Sequence, residues 1–184
     1  MNKKLDLKAM TLIALMTAVC CILSPFSISI GISPVPITLG TFTIYLLLLI
    51  LGLKKGLISV LLYLLIGLVG LPVFSGFSGG AGKLFGPTGG YLVGYIFLAI
   101  IAGFFIDKWA NKWYLCFPGM ILGTAALYLF GTVWLAFQQK LSFYAALWAA
   151  VIPYIPVDLI KMALAVAIGI PVRKALRRAG LLSI

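Results

Sequence analysis

Two ionisable residues, Asp158 and Lys161, stand three positions apart in an otherwise apolar stretch. If the stretch is helical, that spacing puts both on one face. Asp158 can accept N–H groups, and Lys161 can donate to carbonyl or carboxylate oxygens. A ligand with adjacent N–H and C=O groups, such as a cyclic urea, would use both. Ionisable residues inside a membrane span are costly and are functional candidates by default. Two alternatives stay open: a self-satisfied ion pair that glues helices, and a step in a proton relay. The relay is the poorer fit, because the core offers one acid and the chain has no His.

The missing residue types exclude much else. The acids are Asp6, Asp107 and Asp158. Without His there is no His acid–base pair, no Ser-His-Asp or Cys-His nucleophile and no His metal site. Cys20, Cys21 and Cys116 lack metal-ligand spacing, and their odd number suggests no disulfide framework. No metal, cofactor or catalytic set is expected. Gly82-Lys83 invites a phosphate-loop reading, but Phe77 stands where the first glycine is needed and Leu84 where Ser or Thr must follow. Uphill transport by this chain would therefore draw on a gradient or on a partner.

These residues must be positioned by membrane helices. Of 184 residues, 64% are hydrophobic and 9% charged, far from the roughly quarter charged composition of soluble domains. A spanning helix needs about 20 mostly apolar residues. Six such segments are expected, at about 9–31, 37–53, 56–72, 90–107, 115–137 and 143–172, in a single membrane domain over 1–184. The sixth is interrupted by Pro153 and Pro156, which should kink or open it. Broken backbone at membrane depth is tolerated where it is buried in protein or lines a cavity, so the kink and the Asp158/Lys161 pair point to the same place. Tyr63, Tyr91, Tyr95 and Tyr154 cluster toward that half. Lys3-Lys4 before an apolar run resembles a signal peptide, but the run outlasts a usual signal core and is read as the first helix.

The charge of +11 is read as a topology signal, with no nucleic-acid partner. With the N-terminus inside, inner segments hold Lys3, Lys4, Lys8, Lys54, Lys55, Lys108, Lys112, Arg173, Lys174, Arg177 and Arg178. Outer loops hold Lys83 and Lys140. This bias places both termini in the cytoplasm. Asp107, beside Lys108, is read as an interfacial ion pair or inner anchor.

The loop from Pro72 to Gly90 has seven glycines in nineteen residues. Loops of this length are usually functional or disordered, and Phe74, Phe77 and Phe85 argue against disorder. It is either a lid over an amphipathic small molecule or a packed plug. The shorter outer loop, with Pro34 and Pro36, would form the other rim of one pocket. Ala14-x-x-x-Ala18 and Gly119-x-x-x-Gly123 are small-residue patterns that let helices approach closely. Internal packing explains most such matches.

Four stretches together resemble one family: Pro34-Val-Pro-Ile-Thr-Leu39, Gly67-Leu-Val-Gly-Leu-Pro-Val-Phe-Ser-Gly76, Gly86-Pro-Thr-Gly-Gly-Tyr-Leu-Val-Gly94 and Pro156-Val-Asp-Leu-Ile-Lys161. The resemblance is to the biotin-specific substrate-binding (S) component of energy-coupling-factor (ECF) vitamin transporters, the BioY family. It covers nearly the whole chain. It implies an all-α integral membrane protein with the six-helix S-component fold, in a prokaryotic plasma membrane. It also implies capture of extracellular biotin, and import with a transmembrane coupling protein and two ATPase subunits. Asp158 would then accept the ureido N–H groups and Lys161 would face a ligand oxygen. Phe74 and Tyr91 would pack on the bicycle, while Thr88, Gly89 and Gly90 would allow close backbone approach. Ala14 and Ala18 would dock on the coupling protein. A stand-alone gradient-driven transporter is the alternative, disfavoured by the absence of an inverted repeat.

Overall fold

The computed structural model describes residues 7–29, 31, 35–109 and 113–182. Helix α1 covers Leu7–Leu23, well short of the expected end at 31. The reason is local: Pro25 disfavours helical backbone at Ser24 and cannot donate an N–H itself. The chain instead forms a two-residue strand, β1 (Ser27–Ile28), paired antiparallel with β2 (Ile37–Thr38). Pro34 lies outside the described residues.

Helix α2 (Gly40–Leu68) is two limbs, 40–51 and 53–68, joined at Gly52 (φ 77°, ψ −172°). The chain doubles back there. Gly56 of the second limb sits against Leu47 and Leu48 of the first, and Thr41 and Tyr63 face one cavity. Glycine is required at position 52 twice over. Its φ is left-handed, and a Cβ would lie 2.3 Å from Asp107 Oδ1. The second limb begins with an anion at its N-terminus, since Leu53 N–H donates to Asp107 Oδ2 at 3.0 Å. The two spans expected at 37–53 and 56–72 are these limbs, each shorter than expected.

A short helix α3 (Ala81–Leu84) lies in the long loop. Then come α4 (Gly89–Lys108) and α5 (Trp113–Gln139). Helix α6 (Phe143–Ala150) is capped by Ser142 Oγ, which accepts from Ala145 N–H at 3.2 Å. A 3-10 turn at Ile152–Tyr154 separates it from α7 (Ile155–Arg178). The expected sixth span is thus broken beside Pro153 and runs on beyond 172. Pro156 sits in the first turn of α7, where its missing N–H is harmless.

Among the described residues these elements make six helical passes: α1, the two limbs of α2, α4, α5, and α6 with α7. Four helical stretches are long and apolar enough to cross a membrane, and α1 is apolar but shorter. Large apolar side chains face outward, among them Leu15, Phe104, Leu129, Val133, Phe137 and Ile160. So much exposed apolar surface fits lipid rather than water. This is a multi-pass membrane protein.

Helix α2 is central, packing on α1, α4 and α7, while α4 packs on α5. Gly119 and Gly123 serve the α4–α5 contact: Cβ atoms there would lie 2.2 Å from Phe105 and 2.9 Å from Leu98. Ala14 and Ala18, by contrast, face outward on α1. Most of the described basic residues gather at one end. Lys8 Nζ donates to Gly180 O, and Asp107 meets both Leu53 and Arg173, which brings the Lys54/Lys55 turn, Lys108 and the end of α7 together. Lys3, Lys4 and Lys112 lie outside the described residues.

Candidate functional site

At the opposite end, a cavity leaves about 60 Å³ open to the centres of water molecules, room for a few waters. Asp158 and Lys161 reach it from the first two turns of α7, directly after the break. The break aims them. The 3-10 turn at Ile152–Tyr154 ends α6 and starts a new helix here. Asp158 lies in the first turn of α7, where the positive end of the helix dipole favours a carboxylate.

The two residues bond to each other and to two neighbours. Lys161 Nζ lies 2.8 Å from Asp158 Oδ1. Thr41 Oγ1, at the start of α2, donates to the same oxygen at 2.9 Å and accepts from Lys161 Nζ at 3.1 Å. Tyr128, from the middle of α5, donates to Asp158 Oδ2 at 2.5 Å. Asp158 is 3% exposed and Lys161 7%. Charges this deep are held only if paired and hydrogen-bonded, and here three helices supply the partners. Among the described residues, two of the three lysine N–H donors are engaged.

Tyrosines line the rest: Tyr63, Tyr91 and Tyr95 from α2 and α4, Tyr128 from α5, and Tyr154 from the break. Several hydroxyls are already bonded to protein groups. Tyr91 meets Thr132 at 3.4 Å, Tyr63 donates to Val73 O at 3.2 Å, and Tyr154 donates to Val35 O. The last contact straps the break to the first loop. The cavity thus combines tyrosine rings and several hydroxyls with one charged cluster, an arrangement suited to an amphipathic ligand.

Both loops contribute. Val35, Pro36 and Thr38 come from the first, Ser75 and Thr88 from the second. The second loop is fastened to α5 by Trp134 Nε1–H to Gly86 O at 3.0 Å and by Gln138 Nε2–H to Phe85 O at 2.8 Å. It meets the first loop through Gly76 N–H to Pro25 O at 3.0 Å and an edge-on Phe26–Phe77 contact at 5.5 Å.

Of the residues expected to touch the ligand, Asp158, Lys161, Tyr91 and Thr88 line the cavity, and Tyr63, Tyr95 and Tyr154 of the expected tyrosine cluster do so too. Phe74, Gly89 and Gly90 stand outside the lining. Phe74 is fully buried behind Tyr63, ring centroids 5.5 Å apart, with Gly67 making room for it. The close approaches at Gly89 and Gly90 are to the Leu84 carbonyl and to Trp134, so these glycines fit the loop to its neighbours. Thr41 and Tyr128 escaped the sequence reading. Their one signal is a hydroxyl within an apolar helix, shared with many membrane threonines and tyrosines. Among the described residues no cluster of potential metal ligands occurs.

Known proteins resemble the chain throughout its length. The BioY family model matches residues 1–178. The probable biotin transporter BioY of Pyrococcus horikoshii is 38% identical over 88% of this chain and 94% of its own. The biotin transporter BioY2 of Lactococcus lactis subsp. cremoris is 35% identical over 92% of both chains. A crystal structure of the S-component for biotin from an ECF-type ABC transporter superposes with a TM-score of 0.86 at 36% identity, covering 95% of each chain. The fold, with its doubled-back second helix and broken last span, is that of an S component, and the chain belongs to the BioY family.

Proposed function

We propose that the protein is the high-affinity biotin-binding subunit of an ECF-type vitamin uptake transporter. It captures extracellular biotin and delivers it inward together with an ATP-driven module of one transmembrane coupling protein and two ATPase subunits. It is a substrate-binding transport subunit, not an enzyme. The observation that carries this reading is the Asp158–Lys161–Thr41–Tyr128 cluster beneath a tyrosine-lined cavity, in a chain that shares its fold with a biotin S-component.

The chemistry follows from the cluster. Biotin has a ureido ring, an apolar thiophane ring and a carboxylate tail. The Asp158 carboxylate accepts ureido N–H groups, and the lysine ammonium donates to a ligand oxygen. Ligand N–H groups would replace donors that Asp158 already holds, so its negative charge is never left bare. Tyr91 and its neighbours cover the apolar ring, and Thr88 and Ser75 bring the loop over it. The loop then acts as a lid, released by breaking its few bonds to α5.

The basic end faces the cytoplasm and the cavity end faces outward. Both termini lie inside, and Ala14 and Ala18 on the outward face of α1 meet the coupling protein. The test is biotin binding by the purified subunit alone, without ATPase subunits. Wild type should bind, while Asp158→Asn and Lys161→Ala should bind at least about tenfold more weakly, as expected for loss of a charged hydrogen bond. Equal binding by the variants refutes the site. Uptake by the chain alone, driven by an ion gradient in liposomes, would favour the stand-alone transporter.

A further inference from the structure

At the basic end lies a second cavity, with about 90 Å³ open to water centres. Its floor is apolar, from Leu49, Ile106 and Ile170, and its rim carries Arg173, Lys174 and Arg177. Positions 170, 173, 174 and 177 form one stripe of α7, so the helix turns all three cations to the same mouth. The charge there is unbalanced. Arg173 and Arg177 are like charges four apart, a spacing that costs a helix stability. Among the described residues the acids are Asp107 and Asp158, and Asp158 is at the other end. Asp107 is already used: it accepts from Leu53 N–H and lies 3.6 Å from Arg173 Nη2. Arg173 Nη1 donates to Leu49 O at 3.2 Å, which ties its guanidinium to the backbone of α2.

We propose that this cavity binds a phosphate-bearing anion. Arginine forks match phosphate oxygens in geometry and charge. An apolar floor beneath a cationic rim, on a helix whose Leu164, Ile168 and Val172 face outward, suits a phospholipid headgroup whose chains lie along α7. Basic pockets between membrane helices are recognised sites of that kind. The same chemistry would also take free phosphate, so the test separates the two sources.

The full chain in detergent is titrated with phosphatidylglycerol or phosphatidylcholine and read by native mass spectrometry. Wild type should retain phosphatidylglycerol at a lipid concentration roughly thirtyfold or more below that for phosphatidylcholine, the scale expected for two or three basic side chains near an anionic headgroup. Lys174→Gln with Arg177→Gln should abolish that preference. This pair leaves Arg173 in place with its bonds to Asp107 and Leu49, and circular dichroism checks that helix content is unchanged. Lys54→Gln with Lys55→Gln removes the same charge at the same end and should keep the preference. Displacement of the lipid from wild type by millimolar inorganic phosphate supports the site with a solution source, and resistance to displacement supports it with a lipid source. Equal retention of both lipids, or equal loss of preference in both double variants, overturns the proposal.

Discussion

Breaking the Asp158–Lys161 pair from either side should destabilise the ligand-free protein, and unequally. Asp158 receives three hydrogen bonds, from Lys161, Thr41 and Tyr128. Lys161 donates two, to Asp158 and Thr41. In Lys161→Met the carboxylate keeps two donors. In Asp158→Asn the ammonium keeps a hydroxyl and an amide oxygen, with no opposing charge. Both groups are deeply buried, so solvent screening offers little relief. Removing one partner of a buried pair costs about 3–5 kcal/mol. Asp158→Asn is expected near the top of that range and Lys161→Met near the bottom. The double variant leaves no unpaired charge and should cost less than the sum, with a coupling of about 2 kcal/mol or more. The assay is unfolding in detergent micelles, followed by loss of helical circular dichroism, with no biotin present so that binding does not enter. Additivity to within about 0.5 kcal/mol would mean the two charges do not support each other, and the reasoning from the cluster would fail.

Three further outcomes are expected. Gly52→Ala should destabilise by about 1–3 kcal/mol through its left-handed backbone, with the Asp107 clash adding to it, and Gly56→Ala should be milder; unfolding in the same micelles checks both. Tyr128→Phe, which preserves the ring but removes the hydroxyl on Asp158, should weaken biotin binding about tenfold in equilibrium binding while helix content stays constant. Ala14→Trp with Ala18→Trp should leave biotin binding by the isolated subunit intact but prevent co-purification with the coupling protein.

What could be read from the sequence was whatever one segment declares by itself. Asp158 and Lys161 share a face because three residues of helix make it so, and the prolines before them announce the break. Lys54 and Lys55 punctuate α2 closely enough to split it into two limbs, although the turn itself depends on Gly52 beside Asp107, a partner 55 positions away. Thr41 and Tyr128 were hidden for the same reason: they reach Asp158 across 117 and 30 positions, and only tertiary packing brings them there. Phe74 packs behind Tyr63, which itself lines the cavity; aromatic type indicates burial but not direction. At Gly89 and Gly90 close approach is legible in the sequence, but not that the neighbours are the Leu84 carbonyl and Trp134. The first helix was overextended because apolar composition outvoted the steric rule at Ser24-Pro25.

The length of α7 has a mechanical meaning. Its 24 residues make a helix of about 36 Å that starts at the 3-10 turn and carries Asp158 and Lys161 beside it. A tilt of about 10° there sweeps the far tip by roughly 6 Å over that rise. Near that tip, Arg173 is moored to Asp107 of α4 and to the Leu49 carbonyl of α2. A small displacement at the ligand end is thus amplified toward the basic end. It must either slip those moorings or drag α2 and α4 along, which makes the Arg173–Asp107 separation a gauge of whether the bundle moves in parts or as one body.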